Sequence, residues 1–189
     1  MAKDKTKKAK GLEEKIVSLI VDQSASMLAH KEKVISAMNE YLAPLKGEEN
    51  EKVAIKATLT LFNTEILTPH VNVPVSKIGA FTDVTYQPRG NTALLDAMGT
   101  TIEKISADLN GKKPMVLVVV QTDGEENSSR RYTKEAIQSL IHDKEKEGNW
   151  TFVFLGADQN AWANASQYGF QRQHTMSYDS VKTGETMRQ

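Results

Sequence analysis

Three apolar runs constrain this chain more than anything else in it: "KIVSLIVD" at 15–22, "PMVLVVVQTD" at 114–123 and "WTFVFLGAD" at 150–158. Each is too short for a helix core, rich in β-branched residues, and apolar without alternation. That pattern fits central parallel strands buried on both faces. Each also ends abruptly in an aspartate. Between them lie segments with apolar residues at helical spacing. "KEKVISAMNEYLAPL" carries Val34, Met38, Leu42 and Leu45 and is expected to break near Pro44. "NTALLDAMGTTIEKISADL" puts Leu95, Met98, Ile102 and Ile105 on one face, and "TKEAIQSLIHDKEKEG" closes at Gly148.

"VAIKATLTLFN" alternates and reads as a strand with one more polar face. "EILTPHVNV" reads as its antiparallel hairpin partner at a sheet edge, where Pro69 is tolerated. Residues 74–91 look like a loop. "NAWANASQYG" gives a short helix, and a weak strand is expected near His174–Met176, with a final helix after it. Strands alternating with helices imply an α/β fold, a doubly wound three-layer sandwich. Its central sheet is expected to be mostly parallel, with one short antiparallel edge strand.

At 189 residues a single domain is expected, assigned to 12–189. Residues 1–11 read as a disordered lysine-rich tail: "MAKDKTKKAK" holds five of the 24 basic residues and one of the 24 acidic ones, so the remainder is acidic. The tail is a weak argument for nucleic acid, which is not expected as a partner. No apolar run approaches the roughly 20 residues of a membrane span, and no secretory leader is evident. With no cysteine there is no disulfide, thiol nucleophile or zinc-thiolate site. The expected location is cytoplasmic.

In doubly wound sheets, ligands sit outside the carboxyl ends of the strands. Asp22, Ser24, Ser26, Thr92 and Asp123 all fall there, at strand-to-helix turns on one rim. All five offer oxygen, which suits a hard divalent ion such as Mg²⁺. In an extended segment, residues two apart face the same side, so the alternation of "DQSAS" is explained if Ser24 and Ser26 turn inward together. Singly, each has a structural alternative: Ser24 or Ser26 as a helix cap, Thr92 as the cap of the helix from Ala93, Asp123 as a turn residue. Asp96 reads as a surface or supporting residue, and Glu125 and Glu126 as a solvated loop, an internal ligand or a ligand for a neighbouring molecule. Arg130 and Arg131 either pair with those glutamates or help to receive an acidic partner.

Together, "DQSAS", "GNTALLDA" and "VVVQTDGEEN" resemble the three parts of the metal-ion-dependent adhesion site of von Willebrand factor A domains, in the same order. The resemblance covers roughly residues 12 to 178, and "YQPRGNTALLDAMGTTI" and "TDGEENSSRRYTKE" look like small stand-alone proteins of this kind from bacteria and their phages. It implies that Ser24 and Ser26 ligate Mg²⁺ directly (Mn²⁺ or Ca²⁺ as alternatives), Thr92 in a ligand-bound state, and Asp22 and Asp123 directly or through water. It implies binding rather than turnover: the protein partner presents an Asp or Glu to the metal, and that partner can be a second copy of the chain. Two other readings stand beside it. One is a Mg²⁺-dependent phosphohydrolase with Asp22 as nucleophile, although the acid expected two residues on is Ser24. The other is an adaptor for an intracellular ATPase or modification system.

Overall fold

The computed structural model describes residues 13–123, 125–156 and 161–177. The lysine-rich tail and the final helix expected after residue 177 lie outside that set.

The elements are β1 (Glu13–Asp22), α1 (Lys31–Glu48), β2 (Val53–Phe62), β3 (Ile66–Pro74), α2 (Leu94–Leu109), β4 (Met115–Thr122), α3 (Lys134–Lys146), β5 (Trp150–Gly156), α4 (Ala161–Ser166) and β6 (Thr175–Ser177). They form one six-stranded sheet in the order β3-β2-β1-β4-β5-β6. All neighbours pair in parallel except β2 and β3, the hairpin at the edge. The three apolar runs are β1, β4 and β5, and they pair side by side in the middle of the sheet. Their lack of alternation follows from burial on both sides. Ile16 and Ile20 of β1 pack with Val116, Val118 and Val120 of β4 under α2, α3 and α4. The intervening Val17, Leu19 and Val21 pack under α1 on the opposite face.

Two departures from the sequence reading have physical causes. The first helix does not break at Pro44 but runs through it to Glu48. Pro44 and Glu40 both lie on the exposed face of the helix, where the lost i–4 hydrogen bond is cheaper than it would be in the core. Beyond the proline, Leu45 packs on the core and the Lys46 ammonium donates to the Ile78 carbonyl (2.7 Å), which holds the last turn in place. The second departure is 74–91, which is irregular yet not a loose loop. Val75, Ile78, Phe81 and Tyr86 are all buried in the α1-face core. This segment covers part of the sheet as a helix would.

On the same face, beside α1, a groove of ≈ 610 Å³ is floored by Leu117, Val119, Val153 and Leu155. It shares no residue with the rim where the five candidate ligands lie. Among the described residues no helix is long and apolar enough to cross a membrane.

Candidate metal site

At the end of β1 the chain passes from the buried part of the strand, Ile16–Asp22, into a turn of 3-10 helix, Ala25–His30. Asp22 is 0% exposed, and both of its carboxylate oxygens accept hydrogen bonds. Oδ1 takes the Ser24 N–H (2.7 Å) and Oδ2 takes the Thr122 hydroxyl (2.6 Å) from the end of β4. Ser24 is buried and its hydroxyl lies 3.1 Å from that of Ser26, which is exposed. The two hydroxyls are therefore adjacent, but they do not both turn inward from an extended segment: Ser26 is exposed and already lies within the 3-10 turn. Neither acts as a cap: Ser24 occupies the N-cap position of the 3-10 turn without a side-chain hydrogen bond, and α1 likewise starts without one.

Thr92 arrives from the loop before α2. Arg89 N–H donates to the Gln23 carbonyl (2.7 Å) and Ala25 N–H to the Gly90 carbonyl (3.0 Å), so this loop lies against the DQSAS turn. Gly90 has φ +76°, and a Cβ there would stand 2.9 Å from the Thr64 hydroxyl oxygen, which itself accepts the Asn91 N–H. A side chain at residue 90 would be excluded on both counts. Thr92 is buried, and it does not cap α2. The first N–H groups of that helix are taken instead by Glu126, which accepts from Leu95 (3.0 Å), and by the Ser129 hydroxyl, which accepts from Asp96 (3.0 Å).

Asp123 follows β4 directly and is half-buried. Its carbonyl accepts from the Asn164 amide of α4 (2.9 Å) and its carboxylate from the Glu125 N–H (3.3 Å). Its charge is felt at Asp22. Burial pushes the Asp22 carboxyl up to about 6, opposed by the hydrogen bonds from Thr122 and Ser24, and Asp123 adds to the rise. Among the described residues no lysine or arginine contributes. A buried carboxylate with a second one beside it and no cation is a place where positive charge would be favoured.

Sequence reasoning missed the framework around this rim. Glu126 is half-buried, and both of its carboxylate oxygens are engaged within the chain. Its Oε1 accepts from the N–H groups of Ser128 (2.8 Å) and Ser129 (2.7 Å), and its Oε2 accepts from Leu95 N–H and from the Ser129 hydroxyl (2.7 Å). Asp96 returns the favour from the first turn of α2, accepting the N–H groups of Arg130, Arg131 and Tyr132, each at 2.9 Å. Arg131 pairs with Glu103 (3.3 Å) and not with the neighbouring glutamates. Gly99 makes room for this packing, because a Cβ there would sit 2.5 Å from the Tyr132 ring. Tyr86, unremarked in the sequence, is fully buried and donates its hydroxyl to the Asp22 carbonyl (2.6 Å).

The donor set fits a hard cation in kind: two carboxylates and three hydroxyls, oxygen throughout. Among the described residues no group of three or more histidines or acids stands together, so a site here would rely on the hydroxyls.

No family model matches this sequence, and no curated protein does either. Solved structures do. The chain is similar to the manganese-loaded TRAP protein of Plasmodium vivax, with 17% identity and a TM-score of 0.60, covering 92% of this chain and 71% of that one. It is similar to proximal thread matrix protein 1 of the mussel byssus at 14% identity and a TM-score of 0.60, over 89% of this chain and 43% of that one. The three N-terminal domains of the type V pili tip protein Mfa5 from Porphyromonas gingivalis give 12% identity and a TM-score of 0.61, over 88% and 47%. The chain thus spans less than half the length of the last two. The fold is that of a von Willebrand factor A-like α/β domain.

Proposed function

We propose that this von Willebrand factor A-like domain is a protein-binding module that captures an acidic side chain of a partner through a divalent ion, Mg²⁺ in the first instance, held on the carboxyl rim of the sheet. Ser24, Ser26 and Thr92 would hold the ion with their hydroxyls, and Asp22 and Asp123 directly or through water. A bound ion would supply a Lewis-acidic position for an incoming carboxylate.

One observation carries the reading: Asp22 is fully buried with its carboxyl pushed up to about 6, and the hydroxyls around it cap no helix. The ordinary structural explanations for these hydroxyls are thereby weakened. The likeness to a manganese-loaded protein supports the choice of a divalent ion. Turnover is disfavoured by the same carboxylate. Both Asp22 oxygens are engaged and the side chain has no exposed surface, a poor setting for a nucleophile that must approach a phosphorus atom in line. The adaptor reading differs only in the partner's identity.

The test uses Mn²⁺ as a paramagnetic probe of the ion's open position. Water-proton relaxation enhancement is measured for the Mn²⁺-loaded protein as a glutamate-containing peptide is added, with the matching glutamine peptide as control. A saturable fall in enhancement with the glutamate peptide alone supports carboxylate capture. Equal responses to the two peptides would refute it.

A further inference from the structure

We propose that Asn127 is a positioning residue for Thr92: its side-chain oxygen fixes the Thr92 arm of the site without itself being a ligand, and ion affinity depends on it. This rests on the metal reading above for its functional consequence, though not for its geometry.

Thr92 and Asn127 are tied in both directions. The Thr92 N–H donates to Asn127 Oδ1 (2.9 Å), while the Thr92 carbonyl accepts from the Asn127 N–H and the Ser128 N–H, both at 3.1 Å. Asn127 is in turn held by its neighbours. Glu126 grips Ser128 and Ser129 with one carboxylate oxygen and the start of α2 with the other. Asp96 fastens 130–132 to the same helix turn. The segment 125–132 is therefore a strap sewn to the first turn of α2, and among the described residues the Asn127 side chain makes the strap's one side-chain hydrogen bond to Thr92 itself.

The strap also begins beside Asp123, so two candidate ligands from distant parts of the sequence are coupled through it. Thr92 is otherwise anchored by its neighbours in sequence, through Gly90 to Ala25 and through Ala93 N–H to the Asn63 carbonyl (2.9 Å). Among the described residues only Asn127 accepts from the Thr92 N–H. Because Asn127 is exposed, removing its side chain leaves no cavity. The expected effect is local: the site loosens and the core does not. Groups that orient metal ligands typically change affinity by about 10- to 100-fold when removed.

The experiment compares wild type, Asn127→Ala and Asn127→Asp. Aspartate keeps an oxygen for the Thr92 N–H; alanine does not. Two quantities are read: Mg²⁺ affinity by calorimetry, and hydrogen exchange of the Thr92 amide in metal-free protein, with thermal melting as the control for global stability. The expected result is about a 10-fold loss of affinity and faster Thr92 exchange in Asn127→Ala, an almost unchanged melting temperature, and recovery of slow exchange in Asn127→Asp. Unchanged Thr92 exchange in Asn127→Ala overturns the proposal. So does unchanged Mg²⁺ affinity where the wild type binds. If the wild type binds no ion, the metal reading fails, and the exchange data alone decide whether Asn127 positions Thr92.

Discussion

Two pairs of carboxylates share the carboxyl rim of this sheet, and they live under opposite conditions. Asp96 and Glu126 are surrounded by donors: three backbone N–H groups for Asp96, and three N–H groups and a hydroxyl for Glu126. Their negative charge is answered within the chain, and they sew a loop to a helix terminus whose dipole also favours them. Asp123 stands close enough to raise the cost of ionising Asp22, and Asp22 is buried with no lysine or arginine among the described residues easing its charge. Where the protein satisfies its carboxylates, they hold structure. Where a buried carboxylate has hydrogen bonds but no cation to meet its charge, the proposed ion would supply one.

That contrast makes opposite predictions for removing the two kinds of acid. The largest effect is expected for Asp96→Ala, which strands three N–H groups and frees the 130–132 strap. Stability should fall by about 3 kcal/mol, read from urea unfolding of the metal-free protein. A loss near zero would mean that the strap is held by Tyr132 packing alone.

Asp22→Asn should move the other way. The folded carboxyl titrates near 6, above its ordinary 3.8, so its favourable contribution is complete below about pH 4 and is lost as pH rises through 6. At pH 7 the metal-free Asp22→Asn protein is therefore expected to be more stable than wild type by roughly 1–3 kcal/mol, with the advantage shrinking between pH 7 and pH 4. Urea midpoints across that range check it, and an advantage that grows on acidification would reverse the sign of the argument.

Smaller effects separate hydroxyls that cap helices from hydroxyls that do not. Thr133 accepts the Ala136 N–H at the start of α3, so Thr133→Ala should cost about 1 kcal/mol. Ser26 is exposed and caps nothing, so Ser26→Ala should change metal-free stability by less than about 0.5 kcal/mol. Thermal melts of both, with and without Mg²⁺, would sharpen the difference: only Ser26→Ala should diminish the ion's stabilising effect.

Much of this architecture could be read from residues alone, because it rests on local pattern. Burial on both faces made β1, β4 and β5 continuously apolar, and the DQSAS hydroxyls do come together, although through a 3-10 turn and not the extended segment expected. The antiparallel edge strand and the weak last strand also lay where the pattern put them. What stayed hidden depends on residues brought together by the fold. Glu126 meets Leu95 across 31 positions, and Asp96 meets Tyr132 across 36, so a glutamate that looks like loop solvent turns out to terminate a helix. Tyr86 reaches the Asp22 carbonyl across 64 positions from a segment whose prolines and glycines suggested only a loop. Pro44 misled for a different reason: its propensity is an average, and here it sits on the exposed face of a helix whose last turn is held by Leu45 and Lys46.

The central claim is that the unanswered charge on the rim is a divalent-ion site. Calorimetric titration of Mg²⁺ into metal-stripped protein at neutral pH, with Ser24→Ala/Ser26→Ala alongside, tests it most directly. The account predicts saturable binding near one ion per chain in the wild type, abolished in the double variant while its melting temperature is nearly kept. Indistinguishable titrations, or no binding at millimolar Mg²⁺, would contradict it.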